Sequence, residues 1–378
     1  MIYLDNAATT PIDDDVVQII YKSLKEHFGN PSSTYQAGRD ARKIVEDARV
    51  TFASSIYADP KDIIITSGGS ESNNTAIIST ALALQVKGKH IITTSVEHHS
   101  VLHPMNYLET LGFDVTYLPV DQMGRVTAQQ VEQAIRPDTI LVSIIYGNNE
   151  VGAINPISEI GNVLVKKNIL FHTDAVQVYG NQQIHVEKEG IDLLSVTAHK
   201  LNGPKGIGFL YRKHQLHLPP FIHGGSQEND HRAGTENVPY IEGFAKAVEK
   251  LHVGWERNKQ HKQNLKDFFI EELTNKKVTF HVNGMKEDSL PHILNLWIPH
   301  LPSDKLLIHC DLKGIMISAG SACTAGSLEP SHVLQAMFGE DNERIYESIR
   351  VSFGTQNTQE EVAVLANVIA DLQNKYTH

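Results

Sequence analysis

Short runs dense in β-branched residues recur along the first half of the chain and stop at Gly, Ser, Asn or Asp. They are 62–66 (DIIIT), 90–94 (HIITT), 139–146 (TILVSIIY), 169–172 (ILFH) and 193–196 (LLSV). Continuous apolar runs of this length suit strands buried on both faces, as in parallel sheets. Helix-spaced stretches lie between them, at 72–84, 126–135 and 157–167. Alternation of strand and helix implies right-handed crossovers and a mostly parallel sheet flanked by helices, an α/β architecture. After about residue 250 the pattern changes. The segment 253–275 is charged and helix-competent, and reads as a bridge between two domains. Strand candidates at 292–297 and 315–318, with helix candidates at 303–312 and 359–375, then predict a smaller α+β domain. The expected division is a large domain over 14–255 and a small one built from 1–13 and 256–378.

Composition narrows the class. With 378 residues, 41% hydrophobic and 20% charged, the chain is long enough for two or three domains and is globular in balance. Its formal charge of −11 offers no basic stripe for phosphate neutralisation, so direct nucleic-acid binding is not expected. Two cysteines, Cys310 and Cys323, cannot form a disulfide framework, and a reducing compartment suits them. No basic leader precedes an apolar stretch at the N-terminus, and no apolar run approaches the roughly 20 residues of a membrane helix. The expectation is a cytoplasmic protein that does not associate with membranes.

Ligands of open α/β sheets bind where strands end and loops begin, so chemistry is sought there. In 65–73 (ITSGGSESN) a strand runs through two glycines into a helix, leaving backbone N–H groups and a positive helix end suited to a phosphate. The alternative is a tight turn with Ser70 as helix N-cap. In 171–177 (FHTDAVQ) Asp174 closes a buried strand, where a carboxylate is costly unless it meets a cation; a surface-loop acid is the competing view. In 195–208 (SVTAHKLNGPKGIG) Lys200 follows a buried strand, where desolvation can turn a lysine into an imine-forming nucleophile. A solvated lysine is commoner. Together, a phosphate cradle, a carboxylate and a lysine at strand ends of one sheet are the parts that bind pyridoxal 5'-phosphate.

Nine motifs in order carry a resemblance over essentially the whole chain. They are 3–11 (YLDNAATTP), 28–33 (FGNPSS), 66–73 (TSGGSESN), 148–152 (NNEVG), 172–177 (HTDAVQ), 198–206 (AHKLNGPKG), 232–237 (RAGTEN), 320–330 (GSACTAGSLEP) and 348–354 (SIRVSFG). The sequence resembles the cysteine desulfurases of the NifS/IscS kind (group I), in the class V aminotransferase family of fold-type I pyridoxal phosphate enzymes. The resemblance implies that Lys200 holds the cofactor covalently and Asp174 meets its pyridine nitrogen. It further implies that Gln177 bonds the phenolic oxygen, Asn149 contacts cofactor or substrate, and His98 stacks on the ring and moves protons. Gly69, Ser70, Thr197 and His199 would bind the phosphate, Thr235 would reach the phosphate of the other subunit of a homodimer, and Arg350 would grip the carboxylate of L-cysteine.

The discriminating residue is Cys323, in a run of small residues expected to form a mobile loop over about 318–330. The resemblance makes it the nucleophile that takes sulfur from L-cysteine as a persulfide, leaving L-alanine. The sulfur then passes to an acceptor protein of iron–sulfur cluster assembly or of tRNA thiolation. Cys310, in an apolar helical stripe, reads as core. The segment 224–230 (GGSQEND) departs from the family pattern, in which arginine commonly follows Gln-Glu. This puts partner docking or cofactor closure at that loop in question. Other class V enzymes (an aminotransferase, a selenocysteine lyase) or a catalytically silent scaffold are the rival readings. His98, His99 and His103 have partial metal-ligand spacing, but Pro104 disfavours a regular metal-binding helix and no metal is expected.

Overall fold

The computed structural model describes residues 1–285, 287–320 and 330–376. Twelve strands follow in chain order: β1 (Ile2–Tyr3), β2 (Ile63–Thr66), β3 (His90–Thr94), β4 (Asp114–Leu118), β5 (Thr139–Ser143), β6 (Leu170–Asp174), β7 (Leu193–Thr197), β8 (Gly208–Arg212), β9 (His281–Asn283), β10 (Ile293–Trp297), β11 (Ile315–Met316) and β12 (Ser348–Ser352). Seven of them form one sheet in the order β2-β8-β7-β6-β5-β3-β4. The run from β7 to β4 is parallel, whereas β8 pairs antiparallel with both β7 and β2. Strands β2, β3, β5, β7 and β8 are buried along their whole length, as their unbroken apolar runs require. Helices cover both faces. On one, Phe52 sits 4.4 Å from the Phe244 ring and 5.3 Å from Phe209, locking the helices Gln36–Ser55 and Val238–Asn275 onto β8.

The sequence reading differs from this fold in instructive places. Strands β1, β9 and β12, the half-exposed edge strand β4 and the strand β8 behind a glycine-rich turn were not expected. The helix anticipated over 253–275 is the second half of a 38-residue helix, Val238–Asn275. It opens with the Asn237 side chain accepting from Tyr240 N and Pro239 in its first turn, an N-terminal signature. Beyond it, β9, β10 and β12 form an antiparallel sheet in the order β12-β10-β9, while β1 pairs parallel with β11. A separate core of Leu265, Phe269, Leu296, Val351, Leu365 and their neighbours fills this C-terminal part. Cys310 is fully buried in it, and burial pushes its thiol up to about 12, as befits a core cysteine.

Candidate active site

At the C-terminal ends of β2, β6 and β7 the chain opens a cavity of about 330 Å³. The β2 end delivers Gly68, whose φ of +142° is a glycine conformation, and then the helix Gly69–Asn74. A Cβ on Gly69 would come within 2.8 Å of Val176 Cγ2, so only glycine lets the backbone face the cavity there. The helix N-cap is Gly68 without a side-chain bond, and Ser70 stands one residue inside the first turn. The N-cap expectation for Ser70 is therefore corrected: residues 68–69 turn too tightly for Ser70 to precede the helix. Glu71 braces the turn by accepting from Ser67 N at 2.8 Å, and pairs with Arg232 at 3.0 Å.

Asp174 closes β6, only 4% exposed. Its Oδ2 accepts from Asn73 Nδ2 at 2.6 Å and its Oδ1 from Val176 N at 3.0 Å, both neutral donors. Asn73 also donates to Ser100 Oγ at 2.8 Å, and Ser100 Oγ lies 2.8 Å from His98 Nδ1. Ser100 N donates to the same Nδ1 at 3.1 Å, making His98 the N-cap of the helix His99–Thr110. Nδ1 is thus an acceptor and the ring proton sits on Nε2. Burial holds His98 below the usual histidine range. The chain Asp174–Asn73–Ser100–His98 was not found from sequence. Asn73 lies two residues before the π-helical turn Thr75–Ser79, a common mark of a functional helix, but its sequence pattern is that of any polar helix residue.

The β7 end turns through Ala198–Lys200. Lys200 Nζ donates to the carbonyls of Ala7 and, at 2.7 Å, Ala8. Beside it, Thr197 and His199 line the cavity, with His199 pushed down to about 4 by burial. Gln177 is fixed at both ends of its amide: Nε2 donates to Ala7 O at 2.9 Å and Oε1 lies 3.1 Å from His292 Nε2. Across the cavity Arg350, 1% exposed in β12, donates to Asn149 O at 2.9 Å and pairs with Asp5 at 2.8 Å. Its Nε has no partner among the described residues.

The structure thus brings together Gly69, Ser70, His98, Asn149, Asp174, Gln177, Thr197, His199, Lys200 and Arg350 around one cavity. Thr235 is exposed and outside the cavity lining. Cys323 lies outside the described residues; the flanking Ser318 bridges to Arg350, and Ser331 donates to Glu150. In the departing segment, Glu228 takes a left-handed conformation (φ +47°) and buries its carboxylate against Arg49 at 2.8 Å and Ile65 N at 2.9 Å. Its partners are thus core groups. His99 and His103 stand 5.2 Å apart through a helix that continues past Pro104, and no cluster of three metal-ligating side chains occurs among the described residues.

The donor set suits pyridoxal phosphate. Glycine backbone and a helix start face a phosphate, a buried carboxylate held by neutral donors awaits a cation, and a lysine stands between them. Comparison agrees. The sequence profile of aminotransferase class-V matches residues 2–365. A Bacillus subtilis (strain 168) protein of the IscS 1 designation is 51% identical, covering 100% of this chain and 99% of its own. "Cysteine desulfurase IscS" of Dictyoglomus turgidum is 45% identical over 99% of this chain and 95% of its own. Among solved structures, "NIFS-LIKE PROTEIN" superposes with a TM-score of 0.92 at 36% identity, covering 99% of both chains. "SspA in complex with cysteine" does so with 0.84 at 36% identity, over 95% of this chain and 100% of that one.

Proposed function

Because the chain belongs to the class V aminotransferase family, a family of pyridoxal phosphate enzymes, we infer that it is a cysteine desulfurase. It converts L-cysteine to L-alanine and takes the sulfur onto Cys323. The observation that carries this reading is the meeting of Lys200, Asp174 and the Gly68–Gly69 turn with Arg350 in one cavity.

The residues divide the work as follows. Gly69, Ser70, Thr197 and His199 would hold the phosphate, Asp174 would keep the ring nitrogen protonated, and Gln177 would face the phenolic oxygen. Bound there, pyridoxal phosphate supplies an electron sink for negative charge at the substrate α-carbon. Lys200 would carry the cofactor and move the α-proton. His98 is a neutral ring with its proton on Nε2, able to stack on the cofactor and exchange a proton with substrate. Arg350, held in place by Asp5 and Asn149 O, would meet the substrate carboxylate through its guanidinium. The Cys323 thiolate attacks the substrate sulfur. An S–S bond forms, the substrate C–S bond breaks, and the electron pair left on carbon takes a proton on the way to alanine. Cys323 is left as the persulfide.

The proposal extends to a cytoplasmic homodimer in which Thr235 completes the partner's phosphate site. Its sulfur goes to an acceptor protein, an iron–sulfur scaffold or a tRNA-thiolating enzyme. It keeps the division into 14–255 and 1–13 with 256–378, which falls within the long helix. The test is product analysis of the purified holoenzyme with L-cysteine and a thiol reductant. Alanine matched by sulfide supports the reading; pyruvate or another keto acid without sulfide replaces it with a lyase or aminotransferase. Cys323→Ser is expected to keep the cofactor absorbance and lose sulfur transfer, and an unchanged alanine yield would remove Cys323 from the mechanism.

A further inference from the structure

A second cavity, about 490 Å³, lies behind the cofactor site and shares Lys200 with it. It runs between the N-terminal segment, the turn at 179–181 and the helix Val238–Asn275. Its charges are lopsided. Lys200, Lys250, Arg257 and Lys262 line it with His261 and His292, against a single acid, Asp13. That acid is taken, because Lys250 bonds both Asp13 at 2.5 Å and Asp15 at 2.6 Å.

The inner wall is the unusual part. Lys262 is 9% exposed, and among the described residues its Nζ meets only the neutral Asn181 Oδ1, at 2.7 Å. His292, 5% exposed, donates through Nε2 to Gln177 Oε1, so its Nδ1 is an acceptor and adds no positive charge to the wall. Lys266, 2% exposed and outside the cavity lining, meets only Ser289 Oγ at 2.7 Å and Leu290 O at 3.3 Å among the described residues. Burial pushes Lys262 and Lys266 each down to about 8. Burial, then Lys262, Lys266, Lys200 and Arg350, together hold His292 well below the usual histidine range. Taking ammonium groups out of water costs several kcal/mol unless an opposite charge compensates. Here the compensating charge is missing from the wall while room for it is present. Arg257 stands exposed at the rim and makes no ion pair among the described residues.

We propose that this cavity is a binding site for a small oxyanion of the carboxylate–sulfate class, held by Lys262 inside and Arg257 at the mouth. The anion satisfies the buried ammonium and brings negative charge next to Lys200, on the side away from the cofactor. The site is distinct from the Arg350 substrate position, which lines only the first cavity.

The experiment is titration of sodium sulfate into the pyridoxal phosphate-loaded protein by calorimetry, with sodium chloride holding ionic strength constant. The cofactor then already fills the phosphate cradle. One sulfate per chain is expected, weakened about tenfold or more by Lys262→Met and about fivefold by Arg257→Ala, each losing a charge-assisted hydrogen bond. Arg257→Ala changes an exposed side chain, so it decides the matter if Lys262→Met fails to hold cofactor. Absence of binding up to about 50 mM sulfate, far above a useful affinity, overturns the site. So does binding that both variants leave unchanged, with sulfate competing against L-cysteine, because that puts the anion at Arg350. The readout needs no turnover, so loss of the desulfurase reading and loss of this site are separate results.

Discussion

At the scale of single residues, the hydrogen bonds from Asn73 carry more than its sequence position suggests. One side-chain amide serves the carboxylate of Asp174 and the hydroxyl that bonds His98. Asn73→Ala strips a donor from a buried carboxylate, a loss of about 1.5 kcal/mol or more. Roughly tenfold weaker pyridoxal phosphate binding is expected by fluorescence titration, together with a lowered denaturation midpoint of the apoprotein. Glu97 makes a second prediction. Its Oε1 accepts from Thr94 Oγ1 at 2.7 Å and Ile145 N at 2.9 Å, its Oε2 has no partner among the described residues, and burial pushes its carboxyl up to about 8 from 4.5. The folded protein therefore holds this proton where the unfolded chain has lost it. The stabilisation is complete below pH 4.5 and is lost as pH rises through 8. Glu97→Gln, which cannot ionise, is expected to flatten the decline in thermal midpoint between pH 5 and about 8; an identical pH slope in both proteins would show that Glu97 is ionised when folded. Lys200, Asp174 and the glycine pair were legible because each closes a run of buried strand. Asn73 and Ser100 were not, because a polar residue on a helix looks the same whether it faces water or a carboxylate.

At the scale of elements, the seven-stranded sheet places its site by how its helices sit against strand ends. The helix Ile157–Lys167 approaches the turn at 189–190 so closely that a Cβ on Gly161 would lie 1.9 Å from Glu189 O. Gly161→Ala must push that helix away, and about 1–3 kcal/mol of stability should go with it. Urea unfolding is expected to show a lower midpoint at an unchanged slope. The interior strands were readable as continuous apolar runs because both of their faces are covered. Five others escaped, three of them for separate physical reasons. Strand β4 is an edge strand with mixed burial, β8 follows a glycine-rich turn, and β12 alternates buried Ser348, Arg350 and Ser352 with Ile349 and Val351. A polar strand of that kind is stable only because Arg350 finds Asp5 and Asn149 O, partners that lie 345 and 201 residues away. No local window contains them.

On the scale of the whole molecule, Thr235 stands outside its own cavity, on a segment tied to the phosphate turn through Arg232 and Glu71. If the enzyme is the proposed homodimer, sedimentation should report twice the 42.0 kDa chain mass. Thr235→Ala should then weaken cofactor retention without dissociating the dimer; a monomer with full cofactor affinity would sink the shared-site arrangement. The order of strands, and the second cavity between the N-terminal segment and the long helix, are products of tertiary assembly that periodicity does not encode.

The first ten residues have a further consequence. Ile2 and Tyr3 pair with Ile315 and Met316, Ala7 N donates to Ser352 Oγ at 2.8 Å, and the carbonyls of Ala7 and Ala8 receive Lys200. During synthesis this segment is made well before its strand partners, which follow more than three hundred residues later. The seven-stranded sheet can assemble while the opening segment still waits, since all its strands lie between residues 63 and 212. Closing so long a loop is entropically slow to begin. The Ala7 and Ala8 carbonyls that receive Lys200 are therefore anchored only once β11 and β12 have been made, so this corner of the cavity is completed last.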